Sequence, residues 1–481
     1  MRSLKERRMP RIVTRNADAP QGGYDPTLRL PDFEGARVGF LAGTDTPRAL
    51  LERGLEVVAA REAEVQAFAH LDIAGARAAA DASASRYRSG RPLSALDGCP
   101  FGIKDTLSVR GMPGEMNSAV FRGHVDTLDA ASVMALRAAG GVILGKTQVP
   151  ELTIGRAPPT RNPFDATRTA GASSSGSGAS VGAGMVPVAI GNQTGGSLIR
   201  PSSFNGIYGF KPSWGALNVA GMHAIAPSQD HIGPMAASLA DAWRTAWEIS
   251  ARAGGHNGHP GLMGTPEPPR AVRPRRLAWL RTQGWAELDG ATREAFTQAL
   301  AAMEQAGVGI IEAGSDGATA EAERLLLAAD RISNDIIMYE ARWPYAAWIA
   351  AHGEAALGEA VRARIAHGLA MTPADYRRAL AERDAIRAAI AAIGQGVDGF
   401  ITLASSGPPP QDGAAGDTAG AHMKTGSRSF LSPWSMVGGP SLSLPHLVVD
   451  GMPVGLQLMG LPERDAALCA TAAWLDQLFS G

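Results

Sequence analysis

The chain is short of cysteine, of lysine and of net charge, and each shortage excludes something. Two cysteines in 481 residues, Cys99 and Cys469, give no disulfide framework and fit a reducing compartment, so a cytoplasmic location is expected. Cys99 reads as a small buried hydrophobe. A formal net charge of −1 offers no basic surface for phosphate, which argues against a nucleic-acid partner. No apolar run approaches the roughly 18 residues of a membrane-spanning helix, so no membrane partner is expected. The N-terminus is basic (Arg2, Lys5, Arg7, Arg8, Arg11, Arg15) but no apolar segment follows, which disfavours a secretory signal. Residues 1–45 read as an arm, solvated or draped over a neighbouring protomer.

Lysine is the informative shortage. Of 45 basic residues five are lysines: Lys5, Lys104, Lys146, Lys211 and Lys424. A chain that writes Arg for bulk positive charge keeps Lys where Arg cannot serve. One such place is a base, because a desolvated lysine loses its proton and arginine does not.

Several catalytic signatures are missing as well. There is no S-x-x-K, no H-E-x-x-H and no cysteine pair. His256-Asn257-Gly258-His259 sits in a Gly-rich loop without a carboxylate spaced to complete a metal site, so neither metal nor cofactor is expected. Gly140 to Thr147 satisfies the P-loop formula. A helix precedes it, however, and Val142, Ile143 and Leu144 call for a buried strand rather than a phosphate cradle.

What is present is a soluble α/β enzyme, with 45% hydrophobic and 19% charged residues. Residues 46–86 read as helices, 98–105 as a strand entering a turn, 127–139 as a helix stopped by Gly140, and 142–144 as a strand. Residues 272–400 are Ala/Arg/Glu-rich and mainly helical. One helix there opens on Thr372, Pro373 and Asp375 and stops at Gly394. Residues 400–403 form a strand, 405–429 a long Pro/Gly-rich loop, and 448–458 a hairpin turning at Asp450-Gly451. Alternating strands and helices give an α/β fold.

Between residues 163 and 215 the chain becomes dense in Gly, Ser and Thr. Gly171-Ala172-Ser173-Ser174-Ser175-Gly176-Ser177-Gly178 is followed by Gly191-Asn192-Gln193-Thr194-Gly195-Gly196-Ser197. A flexible linker would not be interrupted by the apolar Val186–Ile190. A Gly-Gly-Ser turn after a buried strand presents successive N–H groups toward one point, as an oxyanion site requires, and its serine is placed to attack. Catalysis and a structural turn both remain open on this pattern.

These blocks, together with Gly102-Ile103-Lys104-Asp105, Ala138 to Thr147, Gly209-Phe210-Lys211-Pro212-Ser213, Asp230 to Met235 and Pro453 to Gln457, resemble the amidase signature family. That family includes fatty acid amide hydrolase, malonamidase and amidotransferase A subunits. The resemblance implies a mixed central sheet flanked by helices on both faces. It also implies one domain over 46–475; the 405–429 loop, long and rich in Pro and Gly, reads as a lid. It further implies Lys104 as base, Ser173 as relay and Ser197 as nucleophile, with the N–H groups of Thr194, Gly195, Gly196 and Ser197 holding the oxyanion. The 24-residue step to Ser197 selects Ser173 over Ser174 and Ser175, and the peptide before Ser173 is expected to be cis.

Two departures stand out. Ala172 replaces a glycine before the relay serine. Gln193 stands where many members have an acid, with Arg200 one place further from the turn, which resembles the free-standing, malonamidase-like branch. The expectation is a serine amidohydrolase acting on a non-peptide carboxamide. A carbamate (urethane) or aryl-amide hydrolase is the alternative, and one component of an amidotransferase-type assembly a second. Gln193 and Arg200 are candidate substrate-binding residues. The partner is a small amide or carbamate, and the chain is expected as monomer or homodimer. Pocket walls are expected from the 112–118 loop, the helical stretch and the 405–436 loop.

Overall fold

The computed structural model describes residues 9–480 apart from 20, 28, 257 and 412–425. Its centre is a mixed sheet of 12 strands. From one edge the order is Gly309–Ile311, Arg276–Trp279, Gly399–Leu403, Met452–Met459, Ser441–Val449 and Tyr208–Lys211. His231–Ala236, Val188–Gln193, Pro100–Lys104, Val142–Thr147 and Phe68–Leu71 complete it. Ile12–Thr14 pairs with residues 447–449, beyond the stretch of the same strand that pairs with Tyr208–Lys211. Parallel pairs lie towards both edges, and antiparallel pairs fill the middle. The central strands are buried at every residue, which requires cover on both faces; helices supply it.

Local signals explain many elements. Thr372 and Asp375 form a reciprocal capping box on the helix Pro373–Ile393, with Pro373 in the first turn. Asp450 and Gly451 both take positive φ (52° and 69°), as a two-residue hairpin turn requires. Val142–Thr147 is a buried strand, so the P-loop look-alike is a sheet element.

Four expectations need correction. The helix read as 127–139 begins only at Ala131, because Asp126 and Asp129 turn away to accept the Val109 and Arg110 N–H groups. Residues 46–86 contain the strand Phe68–Leu71. The stretch 272–400 contributes Arg276–Trp279 and Gly309–Ile311 to the sheet, strands too short to print a period in the sequence. The segment read as an arm enters the body from residue 9 onward: it supplies a strand, and the helix Phe33–Ala42 inserts buried Phe33 and Phe40 into the core. Much of the loop read as a lid, residues 412–425, lies outside the described residues.

Candidate active site

Two parallel neighbours, Pro100–Lys104 and Val188–Gln193, end side by side at one rim of the sheet. In α/β folds the carboxyl ends of strands are where a site is assembled. The Ser/Gly block forms the helix Ser175–Gly182, buried along its whole length. Its glycines are required by close approach. A side chain on Gly176 would meet the Ala67 carbonyl at 2.4 Å, and one on Gly182 the Asn205 carbonyl at 2.7 Å. Ser177 bonds Thr147 Oγ1 at 2.7 Å and donates to the Ile190 carbonyl at 3.2 Å. A flexible linker is excluded by this packing.

Lys104 closes its strand without solvent exposure. Its Nζ donates to Ser173 Oγ at 2.6 Å and to the Asn192 carbonyl at 3.4 Å. Burial pushes Lys104 well below the usual lysine range, and the opposing pull of the Asp230 charge does not restore it. That shift favours the free amine, the form able to take a proton. Asp230 turns its carboxylate elsewhere, accepting from Thr194 Oγ1 at 2.6 Å and from the Ile225 and Ala226 N–H groups. Burial raises Asp230 to about 6.

Lys146 works behind this rim. It is buried between Asp105 (3.0 Å) and Asp126 (2.9 Å). Those carboxylates also hold the Met116 and Val109 N–H groups. The segment that follows Lys104 is thus pinned by one charge network.

The turn after Gln193 carries the other half of the site. Between Gly191 and Phe204 only Ser197 is open to solvent. Gln193 Oε1 accepts from the Leu198 and Ile199 N–H groups at 2.9 and 3.0 Å, and its Nε2 donates to Ser435 Oγ at 2.8 Å. Among the described residues the N–H groups of Gly195, Gly196 and Ser197 have no acceptor. A side chain on Gly196 would meet the Leu431 side chain at 2.8 Å, so the turn packs closely there. Ser173, Ser175 and the turn Thr194–Ser197 all face one cavity of about 1000 Å³. Arrayed this way, a desolvated amine, two serines and free N–H donors can perform acyl transfer.

A family model described as Amidase matches residues 49–469. This chain belongs to the amidase family. Among curated relatives, the glutamyl-tRNA(Gln) amidotransferase A subunit of Chloroflexus aggregans is 30% identical, aligned over 90% of this chain and 93% of its own. Its counterpart in Myxococcus xanthus is 31% identical over 90% and 93%. A crystallised amidase superposes with TM-score 0.81 at 30% identity, covering 93% of this chain and 99% of its own. The peptide amidase of Stenotrophomonas maltophilia gives 0.75 at 26%, covering 94% and 97%.

Within this amidase Ser173 and the turn Thr194–Ser197 line one cavity, and buried Lys104 donates to Ser173. Gln193 is buried and braces the turn, and it is not among the described residues that line the cavity. The peptide before Ser173 is trans, as are all those described. Arg200 does line the cavity, but its Nη1 donates to the Gly426 and Ser427 carbonyls, the latter at 3.1 Å.

The walls include Glu115, Ser118, Ile337 and Arg428, from the segments expected, and also residues 150–161, which sequence reasoning missed. Lys146 and Asp230 were missed as supports. The scarcity of lysine was the available signal for the first.

Proposed function

We propose that this amidase is a serine amidohydrolase that cleaves the carbonyl–nitrogen bond of a carboxamide through an acyl-enzyme on Ser197. The observation that carries this reading is a fully buried Lys104 bonded at 2.6 Å to Ser173, at the cavity onto which Ser197 opens. Lys104 takes the Ser173 proton as Ser173 takes that of Ser197, and Ser197 Oγ bonds to the carbonyl carbon. The N–H groups of the 194–197 turn receive the negative oxygen. The relay returns a proton to the leaving nitrogen, the C–N bond breaks, and the amine departs. Water then attacks the Ser197 ester by the same relay, releasing the acid. No step needs a metal or an organic cofactor.

A carbamate or aryl-amide hydrolase is the second reading, since an alkoxycarbonyl group acylates serine by the same chemistry. One component of an amidotransferase-type assembly is the third, supported by the names of the curated relatives. Intact-mass spectrometry of the purified chain with a panel of amides, ureas, carbamates and esters tests all three. The expected result is an acyl adduct on Ser197 and turnover by the chain alone. Full activity of Ser197→Ala would overturn the reading, and turnover only with added partner proteins would favour the third.

A further inference from the structure

The peptide joining Thr194 to Gly195 carries one of the free N–H groups of the oxyanion turn, and its own residues do not fix which way it faces. The Thr194 hydroxyl is anchored on Asp230 at 2.6 Å, but that leaves the rotation of the following peptide open. Gly195 and Gly196 come next, and glycine takes positive φ about as readily as negative. A half-turn of this peptide would swing the Gly195 N–H out of the cavity and put the Thr194 carbonyl in its place. Only a contact from outside the turn can prevent that.

Gln229 makes this contact. Its Nε2 donates to the Thr194 carbonyl at 2.8 Å and to Ser333 Oγ at 2.6 Å. A carbonyl only accepts, so the amine end of the Gln229 amide must face it. The described peptides are all trans, and in a trans peptide C=O and N–H point opposite ways. Gln229 is fully buried and is not among the residues lining the cavity, whereas Gly195 is. With its carbonyl drawn to Gln229, the peptide therefore aims the Gly195 N–H away from Gln229 and toward the cavity. The flipped peptide would set that N–H against the Nε2 amine, donor against donor.

Gln229 is held in turn by its surroundings. Its N–H donates to the Ala226 carbonyl at 2.8 Å. Ser228, before it, donates its N–H to the Glu340 carboxylate at 3.0 Å, and Ser228 Oγ accepts from Arg383 Nη1 at 3.1 Å. Asp230, after it, accepts from the Ile225 and Ala226 N–H groups. Ser333 and Glu340 lie on the helix Ala329–His352, whose Asn334, Ile337 and Met338 wall the cavity. One helix thus borders the cavity and, through Ser333, fixes the Gln229 amide.

We infer that Gln229, braced by Ser333, is a positioning residue that locks the Thr194–Gly195 peptide with its N–H toward the reacting carbonyl oxygen. This rests on the serine amidohydrolase reading above. Gln193 braces the far end of the same turn through the Leu198 and Ile199 N–H groups, so the two amides act on different peptides. Loss of Gln229 leaves the nucleophile and relay in place and frees one donor to turn away. The defect falls on the step in which the negative oxygen forms.

The test replaces Gln229 with Met, which keeps the reach of the side chain and removes the donor. On a simple amide kcat should fall about 10- to 10²-fold, with KM changed by less than about threefold. A trifluoromethyl ketone, which adds to Ser197 and places an oxyanion in the turn, should lose affinity by the same factor. The amide itself should bind Ser197→Ala and Ser197→Ala/Gln229→Met protein equally well. Ser333→Ala unties Gln229 from the helix but spares its bond to Thr194, and should lose about threefold in kcat. Unchanged kcat in both variants, or losses confined to KM, overturns the inference; if Gln229→Met does not fold, Ser333→Ala decides on the same criteria. A crystal structure of the Gln229→Met protein separates the two proposals. A Thr194 carbonyl turned into the cavity, in a chain whose wild type hydrolyses no amide, supports the lock and faults the amidohydrolase reading alone. An unmoved carbonyl in a chain that still turns over amides faults the lock alone.

Discussion

Lys104 meets Ser173 at 2.6 Å across 69 residues of sequence, and Lys104 is the fully buried partner. Desolvation makes that lysine a base instead of a fixed charge. The free amine is the active form and its folded-state pKa is depressed. Activity is therefore lost as pH falls through that lowered value and is present above it. We expect kcat/KM to rise along a single limb whose midpoint lies well below the ordinary lysine range. Lys104→Arg, which cannot give up its proton, should lose roughly 10²–10⁴-fold across the whole pH range. A limb that stays in place in Lys104→Arg would assign the titration to another group.

Ser197→Ala should abolish acylation while leaving the fold intact, because the turn backbone and its glycines are unchanged. Ser173→Ala and Lys104→Met should each remove most of kcat, and the double variant should be little worse than either single one, since relay members act as a unit. Additive losses, measured as kcat/KM on one amide, would argue for separate roles.

Gln193 is a positioning residue for the turn. Gln193→Leu leaves the buried Leu198 and Ile199 N–H groups without their acceptor. It should cost about 1–3 kcal/mol of stability and lower kcat about tenfold or more, with a smaller change in KM. Gln193→Glu keeps an acceptor oxygen at the same place and should recover part of kcat. Equal losses in KM for both variants would instead place Gln193 against the substrate.

Lys146 holds two buried carboxylates, and removing it strands both. Lys146→Met should destabilise the protein by about 3–5 kcal/mol, read as a lower urea midpoint. Through the Asp105–Met116 and Asp126–Val109 hydrogen bonds it should also loosen the segment after Lys104 and reduce kcat. An unchanged midpoint would show that the network contributes little.

Short-range signals carried the α/β class, the capping box at Thr372, the hairpin at Asp450-Gly451 and the strand over Val142–Thr147. Each is settled by residues a few positions apart, through φ preferences, caps and the side-chain period. The lysine shortage was also legible. Lys104, Lys146 and Lys211, the lysines among the described residues, are all fully buried, whereas arginine fills the surface. Only the tertiary structure decided what the polar side chains do. Gln193 meets Ser435, 242 residues away, and the 198–199 backbone through its side-chain amide only in the folded chain. The helix read as 127–139 starts late because Lys146 and the Val109 N–H take the Asp126 carboxylate. Arg364 and Arg428 are ordinary arginines in the sequence and share one cavity only once a helix and a returning loop are packed together. A buried polar group takes whatever partner folding brings within hydrogen-bond reach, and its neighbours in sequence do not encode that partner.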